Sequence, residues 1–335
     1  LAVDPGHPFP FISNLSTSLA LRLRAPGSDE ALFARVKIPP RLPQWIPLEE
    51  TSTSAQYRFV SLVDVIREHL ECLFPGAGIE RVMLFRITRN AEVEPEFDPE
   101  DESVMEAIEE GLRQRRLEPA VRLEHSGDPD PWMIDLLSSQ LKLAKKDLYE
   151  MPQLLEYQNL RQIASLPIDD MRYSPWNPVT PKSLSDDETD IFAAIRASDM
   201  LVHHPYESFN ASVMRFIKTA AEDPNVLAIK MTVYRTGSDS PFIPMLIRAA
   251  ETGKQVACMV ELKARFDEQE NILIAQQLEK AGVHVVYGPF QLKTHTKTAL
   301  VVRREPDGVR CYAHIGTGNY HVHTARLYTD VGLLT

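Results

Sequence analysis

His295, Thr296 and Lys297 set an imidazole and an ammonium group two residues apart, and Gly316-Thr-Gly-Asn319 follows further along the chain. Residues i and i+2 of a strand share a face, so this spacing predicts that both side chains point the same way. A glycine turn lets an amide side chain and backbone N–H groups approach the same spot. Together they supply a nucleophile, a fixed positive charge and donors for phosphate oxygens. That set suits transfer of a phosphoryl or phosphatidyl group through a phosphohistidine. A lone histidine is more often structural than reactive. Here Lys293 and Lys297 flank it, and nearby cations keep an imidazole neutral and nucleophilic near pH 7.

Two arginines extend the set. Arg235 lies in Val233-Tyr-Arg-Thr-Gly237 and Arg265 in Glu261-Leu-Lys-Ala-Arg-Phe-Asp267. Each follows a predicted strand, where a guanidinium serves as a surface charge, an ion-pair partner or a bidentate phosphate ligand. Glu261 or Asp267 is available to orient them. His314 reads as a support for His295, and Tyr328 as either a base-stacking ring or a core residue. His203-His-Pro-Tyr-Glu-Ser208 is a structural corner or an anion site at a helix start. His321 and His323 lack a third ligand at metal spacing and are expected to be exposed. There is no Gly-x-x-x-x-Gly-Lys-Ser/Thr loop, no kinase glycine loop and no His-Arg-Asp motif, so nucleotide phosphates are not held in those ways.

These residues need a frame. After Met200 strands and helices alternate: strands at Leu201–His204, Ala228–Tyr234, Val256–Leu262 and Val283–Tyr287, with helices at Phe209–Ala221, Pro241–Glu251 and Glu268–Ala281. Thr298–Arg303 and Val309–His314 form a hairpin around Pro306-Asp-Gly308. This alternation predicts an α/β layer with a mostly parallel sheet and sites at strand C-terminal ends. The first part is less regular. It opens on a Pro- and aromatic-rich arm around His7, followed by a strand or helix at Leu15–Leu23. Prolines 39, 40, 43 and 47 leave little helix in residues 31–48. Helical spacing covers residues 55–73, a strand Val82–Ile87, an acidic loop Glu92–Glu102, a helix Val104–Leu117, a strand Val121–Leu123 and helix residues 130–160 with an interruption at Pro152. Prolines 167, 175, 178 and 181 mark a boundary, after which Ser185 is expected to cap a helix.

The chain has 335 residues and a net charge of −11, room for two domains. The acid excess is uneven. After residue 200 there are 15 Lys/Arg and 13 Asp/Glu, against 21 and 34 before it. A cleft for a polyanion therefore remains available in the second part. Cys72, Cys258 and Cys311 form neither a zinc nor a disulfide pattern and are expected to be buried. No apolar run is long enough to span a bilayer, and no secretory leader pattern appears. The chain starts at Leu1 and ends at Thr335 after an apolar run, so it is expected to be part of a longer protein.

The motifs also resemble a known family, bacterial polyphosphate kinase of the type built on a phospholipase D-like fold. The matching stretches are His7-Pro-Phe-Pro-Phe-Ile-Ser-Asn-Leu-Ser, His203-His-Pro-Tyr-Glu-Ser-Phe209, Ile229 to Arg235, Glu261 to Glu268, Ala281-Gly-Val-His-Val, Leu292 to Lys297 and His314 to Asp330. The resemblance implies an α+β head domain over residues 1–177 of the dimerisation and polyphosphate-tunnel type. A first phospholipase D-like catalytic α/β domain, with a mixed, mostly parallel sheet, then covers residues 178–335 and is truncated at its C-terminus. It implies reversible transfer of the ATP γ-phosphate to inorganic polyphosphate, with His295 as the phosphohistidine and Lys297 and His314 beside it. Arg235 and Arg265 then grip phosphate oxygens that Mg²⁺ also bridges, while Tyr328 and Asn319 meet the nucleotide. The expected setting is cytoplasmic or peripheral at the inner membrane, in a homodimer or homotetramer, with no nucleic-acid partner. The phospholipase D signature has an aspartate after four residues beyond the lysine, and Val302 stands there. An N-terminal helical domain and a second catalytic half are missing by the same comparison, so the chain alone is expected to be inactive or crippled. The alternatives are a phospholipase D-type phosphodiesterase and a non-catalytic polyanion-binding or dimerisation module.

Overall fold

A computed structural model describes residues 2–3, 9–25, 27, 30–48, 57–91, 104–152, 155–186, 188–237, 239–289 and 292–335. His7, the 92–103 stretch and Asp187 lie outside the described residues. The chain divides into two compact units, one of Leu1–Glu94 with Gly111–Tyr173, the other of Pro95–Glu110 with Ser174–Thr335.

The first unit is built on a six-stranded sheet. Strands β1 (Ala2–Val3), β2 (Thr17–Arg24) and β3 (Ala31–Lys37) are followed by a small ribbon of β4 (Trp45–Pro47) and β5 (Phe59–Ser61). Helices α1 (Leu62–Glu68) and α2 (Leu70–Leu73) then lead to β6 (Gly78–Arg89), and α3 (Val104–Leu117) is divided at Glu110 between the two units. The unit ends with β7 (Ala120–Ser126), α4 (Pro131–Leu141), β8 (Leu148–Met151) and α5 (Leu160–Ala164). The sheet order is β1-β3-β2-β6-β7-β8. Period-two patterning gives it two faces. Ala20, Phe33, Met83, Phe85 and Ile87 join Met133 and Leu137 of α4 in one cluster. Leu19, Leu21, Leu23, Ala34 and Leu84 join Leu62 and Leu70 in the other. The helical pattern read over residues 130–160, with its interruption at Pro152, breaks well before that proline. Lys142 ends α4 with φ at 56°, and β8 pairs in parallel with β7. Phe59 likewise belongs to a strand and not to the helix that follows it.

In the second unit the expected cap at Ser185 gives way to Asp190. Its carboxylate accepts the Phe192 N–H and opens α6 (Ile191–Ala197). Then come β9 (Met200–His204), a π-type turn at Asn210–Met214, α7 (Arg215–Glu222), β10 (Val226–Val233), α8 (Phe242–Glu251), β11 (Gln255–Val260), α9 (Glu268–Lys280) and β12 (His284–Tyr287). The hairpin β13 (Lys297–Glu305) and β14 (Gly308–Gly316) precedes β15 (Asp330–Leu334). The seven strands are ordered β12-β11-β10-β13-β14-β15-β9. Only β10/β11 and β11/β12 are parallel. The sheet is therefore mixed and its antiparallel pairings predominate, because the β13–β14 turn reverses the chain and β15 and β9 continue that sense. The core combines Ile229, Met231, Val233, Cys258, Val260, Ala299 and Val301 with Phe192, Phe216, Phe242 and Leu246. Cys258 is buried as expected, but Cys72 and Cys311 are exposed. Among the described residues no helix is long and apolar enough to cross a membrane.

Candidate functional site

The mixed topology decides where the chemistry gathers. Because β13 runs antiparallel to β10, its first residue lies at the end where β10 and β11 finish. Tyr234 and Arg235 follow β10, Glu261 follows β11, and His295 and Lys297 lead into β13. Lys297 is paired with Gly316 at the close of β14, and Asp330 opens β15. One edge of the sheet thus carries residues from five strands.

His295 is not on a strand. It precedes β13, and Lys297 is that strand's first residue, so the shared-face argument does not apply. The two meet through the backbone: Lys297 Nζ donates to the His295 carbonyl at 2.6 Å. The Lys297 side chain is buried and its ammonium lies 4.8 Å from the centre of the Tyr234 ring. The His295 imidazole is exposed and meets the same Tyr234 ring edge-on, centroids 4.9 Å apart. Partial desolvation, then Lys297, Arg235 and Lys293, hold its pKa below the usual imidazole range. The ring is therefore neutral near pH 7. Burial lowers the Lys297 pKa as well, while Asp330 opposes that shift.

Arg235 is held by Asp267, which accepts from its Nε, and by the Arg265 carbonyl, 2.6 Å from Nη2. Asp267, rather than Glu261, is the carboxylate that orients a guanidinium. Arg235's pKa is raised chiefly by that hydrogen bond, and Tyr328 adds to the rise. Arg265 is exposed, its guanidinium 5.5 Å from the Phe266 ring centre. Phe266 is itself 83% exposed and has φ at 75°, a conformation that non-glycine residues seldom adopt. Tyr328 is exposed and does not belong to the core.

His314 is buried within β14. Its Nδ1 is 2.8 Å from the Tyr320 hydroxyl. Burial, with a smaller push from His204, lowers its pKa to about 4. Gly316 and Gly332 are cross-strand partners. A Cβ on Gly332 would come within 2.6 Å of His314 Nε2, and one on Gly316 within 2.9 Å of Cε1. The imidazole thus occupies space that two missing side chains leave open. The glycine turn faces Asp330: a Cβ on Gly318 would lie 2.7 Å from Asp330 Oδ2, and Thr317 Oγ1 donates to Asp330 Oδ1 at 2.8 Å. Asn319 Oδ1 is buried and has no hydrogen-bond partner among the described residues.

The His203–His204 and His321–His323 segments form local turns. Glu207 accepts the His203 N–H and gives its carbonyl to His204 Nδ1, which makes the 203–208 segment a corner. His321 Nδ1 accepts from His323 and Thr324 N–H groups at the start of a single turn, and it is half-buried where exposure was expected. Sequence reasoning placed Tyr234 at the end of its strand but did not single out Asp330 or Thr232 beside the His295 segment. The one signal available was the run Tyr328-Thr-Asp330 beginning a strand.

Comparison with known proteins fits this geometry. Residues 190–335 match the family model described as polyphosphate kinase C-terminal domain 1, and residues 1–163 match the polyphosphate kinase middle domain. A polyphosphate kinase of Mycolicibacterium gilvum is 51% identical over 338 residues, which is 100% of this chain and 46% of that protein. One from Synechocystis sp. is 50% identical over 357 residues, 100% of this chain and 49% of that protein. The crystal structure of polyphosphate kinase from Porphyromonas gingivalis superposes with a TM-score of 0.76 at 27% identity, covering 100% of this chain and 48% of that one. The chain spans about half the length of the curated relatives it matches.

Proposed function

The chain belongs to the polyphosphate kinase family, and on that footing we propose that it carries the nucleophilic half of an ATP–polyphosphate phosphotransferase, with His295 as the residue phosphorylated. The observation that carries the reading is an exposed imidazole whose pKa is held down by desolvation and by the charges of Lys297, Arg235 and Lys293. One ring nitrogen attacks the γ-phosphorus while the other keeps its proton. The P–N bond forms as the bond to the β–γ bridging oxygen breaks, and its electron pair leaves on ADP. In the second half a terminal oxygen of inorganic polyphosphate attacks the same phosphorus. The P–N electron pair then returns to the ring. Both halves make and break bonds of similar strength, so the reaction runs either way. Lys297 and Arg235 oppose the charge on the equatorial oxygens. The exposed Arg265 and the Tyr328 ring are proposed contacts for phosphate and adenine, with Asn319 nearby on the chain.

Guanidinium groups have no lone pair for a cation. Among the described residues no group of three or more His, Cys, Asp or Glu is arranged to hold one. Mg²⁺ is proposed to arrive on the substrate phosphates, whose oxygens Arg235 and Arg265 would also grip. His314, buried and neutral, shapes the strand behind the site and is not proposed as a proton donor. Residues 1–177 are proposed as the head region, and a homo-oligomer is proposed with them.

The test uses γ-labelled ATP with Mg²⁺, on the chain alone and on a chimera in which it replaces the matching segment of the Mycolicibacterium gilvum relative. Acid-labile, base-stable label that disappears in His295→Ala is expected. Label that survives His295→Ala, or wild-type protein that takes up no label yet cleaves an added phosphodiester to a monoester, would overturn the proposal.

A further inference from the structure

Glu261 is 2% exposed, and burying a carboxylate is costly unless its oxygens are satisfied. Both oxygens accept backbone N–H groups. Oε1 takes Lys263 at 2.9 Å and Oε2 takes Thr294 at 2.6 Å. The first bond is local. The second crosses 33 positions of sequence and ends on the residue just before His295.

The carboxylate is itself fixed. The Glu261 N–H donates to the Val233 carbonyl at 2.9 Å. Asn271, 1% exposed at the start of α9, donates from Nδ2 to the carbonyls of Tyr234 and Glu261 at 2.9 and 2.8 Å. One amide therefore ties the ends of β10 and β11 together. Gly288 leaves the gap in which the bond forms, since a Cβ there would lie 2.8 Å from Thr294 Oγ1 and 3.3 Å from Glu261 Oε2. On the far side of His295, Thr232 Oγ1 donates to the Thr296 carbonyl at 2.9 Å and accepts the Thr298 N–H at 3.0 Å. Lys297 holds the His295 carbonyl itself. Thr294 and Thr296 are thus each anchored by a side chain from elsewhere in the fold, and His295 between them by its neighbour Lys297.

We propose that Glu261 is a positioning residue, whose carboxylate fixes the Thr294 peptide and thereby the direction in which the His295 ring leaves the chain. The proposal rests on the reading of His295 as the nucleophile. Misplacing a reacting atom by about 1 Å can cost on the order of 100-fold in rate, so the effect falls on the chemical step. Substrate binding is left alone, because Glu261 is buried behind the loop.

Three variants separate the hydrogen bond from charge and folding. Glu261→Asp keeps the charge but is too short to reach Thr294. Glu261→Gln loses the charge but keeps an acceptor of the right length. Glu261→Ala loses both. The first readout is amide exchange. Thr294 is expected to exchange at least ~10-fold faster in the Asp and Ala variants and near the wild-type rate in Gln. Amides of Ile229–Val233 should be unchanged. The second readout is label uptake at His295 in the chimera described above. We expect kcat to fall on the order of 100-fold in Asp and Ala with KM for ATP unchanged, and rescue to within a few-fold by Gln.

Unaltered Thr294 exchange in Glu261→Asp, or full-rate labelling by it, would overturn the positioning role while the nucleophile stands. Wild-type protein that takes up no label would sink the nucleophile instead, and the exchange data would still decide whether Glu261 holds the loop. Should Glu261→Ala fail to fold by far-UV dichroism, the Asp and Gln pair carries the test.

Discussion

Acidification should weaken the second unit through one imidazole. His314 is 3% exposed and its pKa is lowered from 6.5 to about 4. The native state therefore binds fewer protons than the unfolded chain between those values, and stability rises with pH there. Its contribution is intact above pH 6.5, declines as the pH falls toward about 4 and is constant below that. The full loss is ~3 kcal/mol, at about 1.4 kcal/mol for each tenfold change in proton activity. Burial exceeds nine-tenths, so solvent screening does not reduce the figure much. His204 faces His314, and Asp330 and Glu207 act on His204 in turn, so the two rings take up protons as a coupled pair. The assay is urea unfolding from pH 7.5 to 4 for wild type and His314→Gln, alongside an NMR titration of the His314 ring. The difference between the proteins should shrink by about 3 kcal/mol over that range. A His314 midpoint near 6.5, or a difference that does not change with pH, would refute the argument.

Other consequences are more local. Gly332→Ala should destabilise the chain by about 1–3 kcal/mol in urea unfolding, because the new methyl meets His314 Nε2 at 2.6 Å and Val202 Cγ2 at 3.2 Å. Asp267→Asn should loosen Arg235 and raise KM for ATP several-fold in the chimera, with a smaller change in kcat. Reaction of His295 with diethyl pyrocarbonate, read by mass spectrometry, should have its pH midpoint below 6.5, since the lowered pKa keeps the lone pair free in mild acid. A midpoint at or above 6.5 would contradict the charges assigned around the ring.

Much of the second unit was legible because its signals are short-range. Asp307-Gly308 sets the hairpin, with φ at 137° on the glycine. α9 stops at Lys280, just before Gly282 at φ 81°. The position of Arg235 after a strand followed from the same alternation, whereas Glu261, placed near the end of a strand at Val256–Leu262, lies just beyond the observed β11. The rest depended on pairings that no local pattern encodes. β8 has only four residues and exists because β7 lies beside it. Glu261 looked like a partner for arginine, since the Thr294 N–H it serves is supplied by another part of the chain. Cys311 read as a small apolar residue, yet it is exposed on β14, beyond the stretch of that strand that β15 covers.

That hairpin also provides a convenient handle. Eight residue steps along β13 separate Lys297 from Glu305, or roughly 27 Å of strand. Its tip is solvent-facing and is braced by Glu305, which accepts from Arg196, Arg303 and Tyr312. A dye, an affinity peptide or a surface tether joined at Asp307 would sit remote from the imidazole while being rigidly coupled to it through a single strand. Motion near His295 then becomes measurable from a position where labelling disturbs none of the residues proposed to meet phosphate.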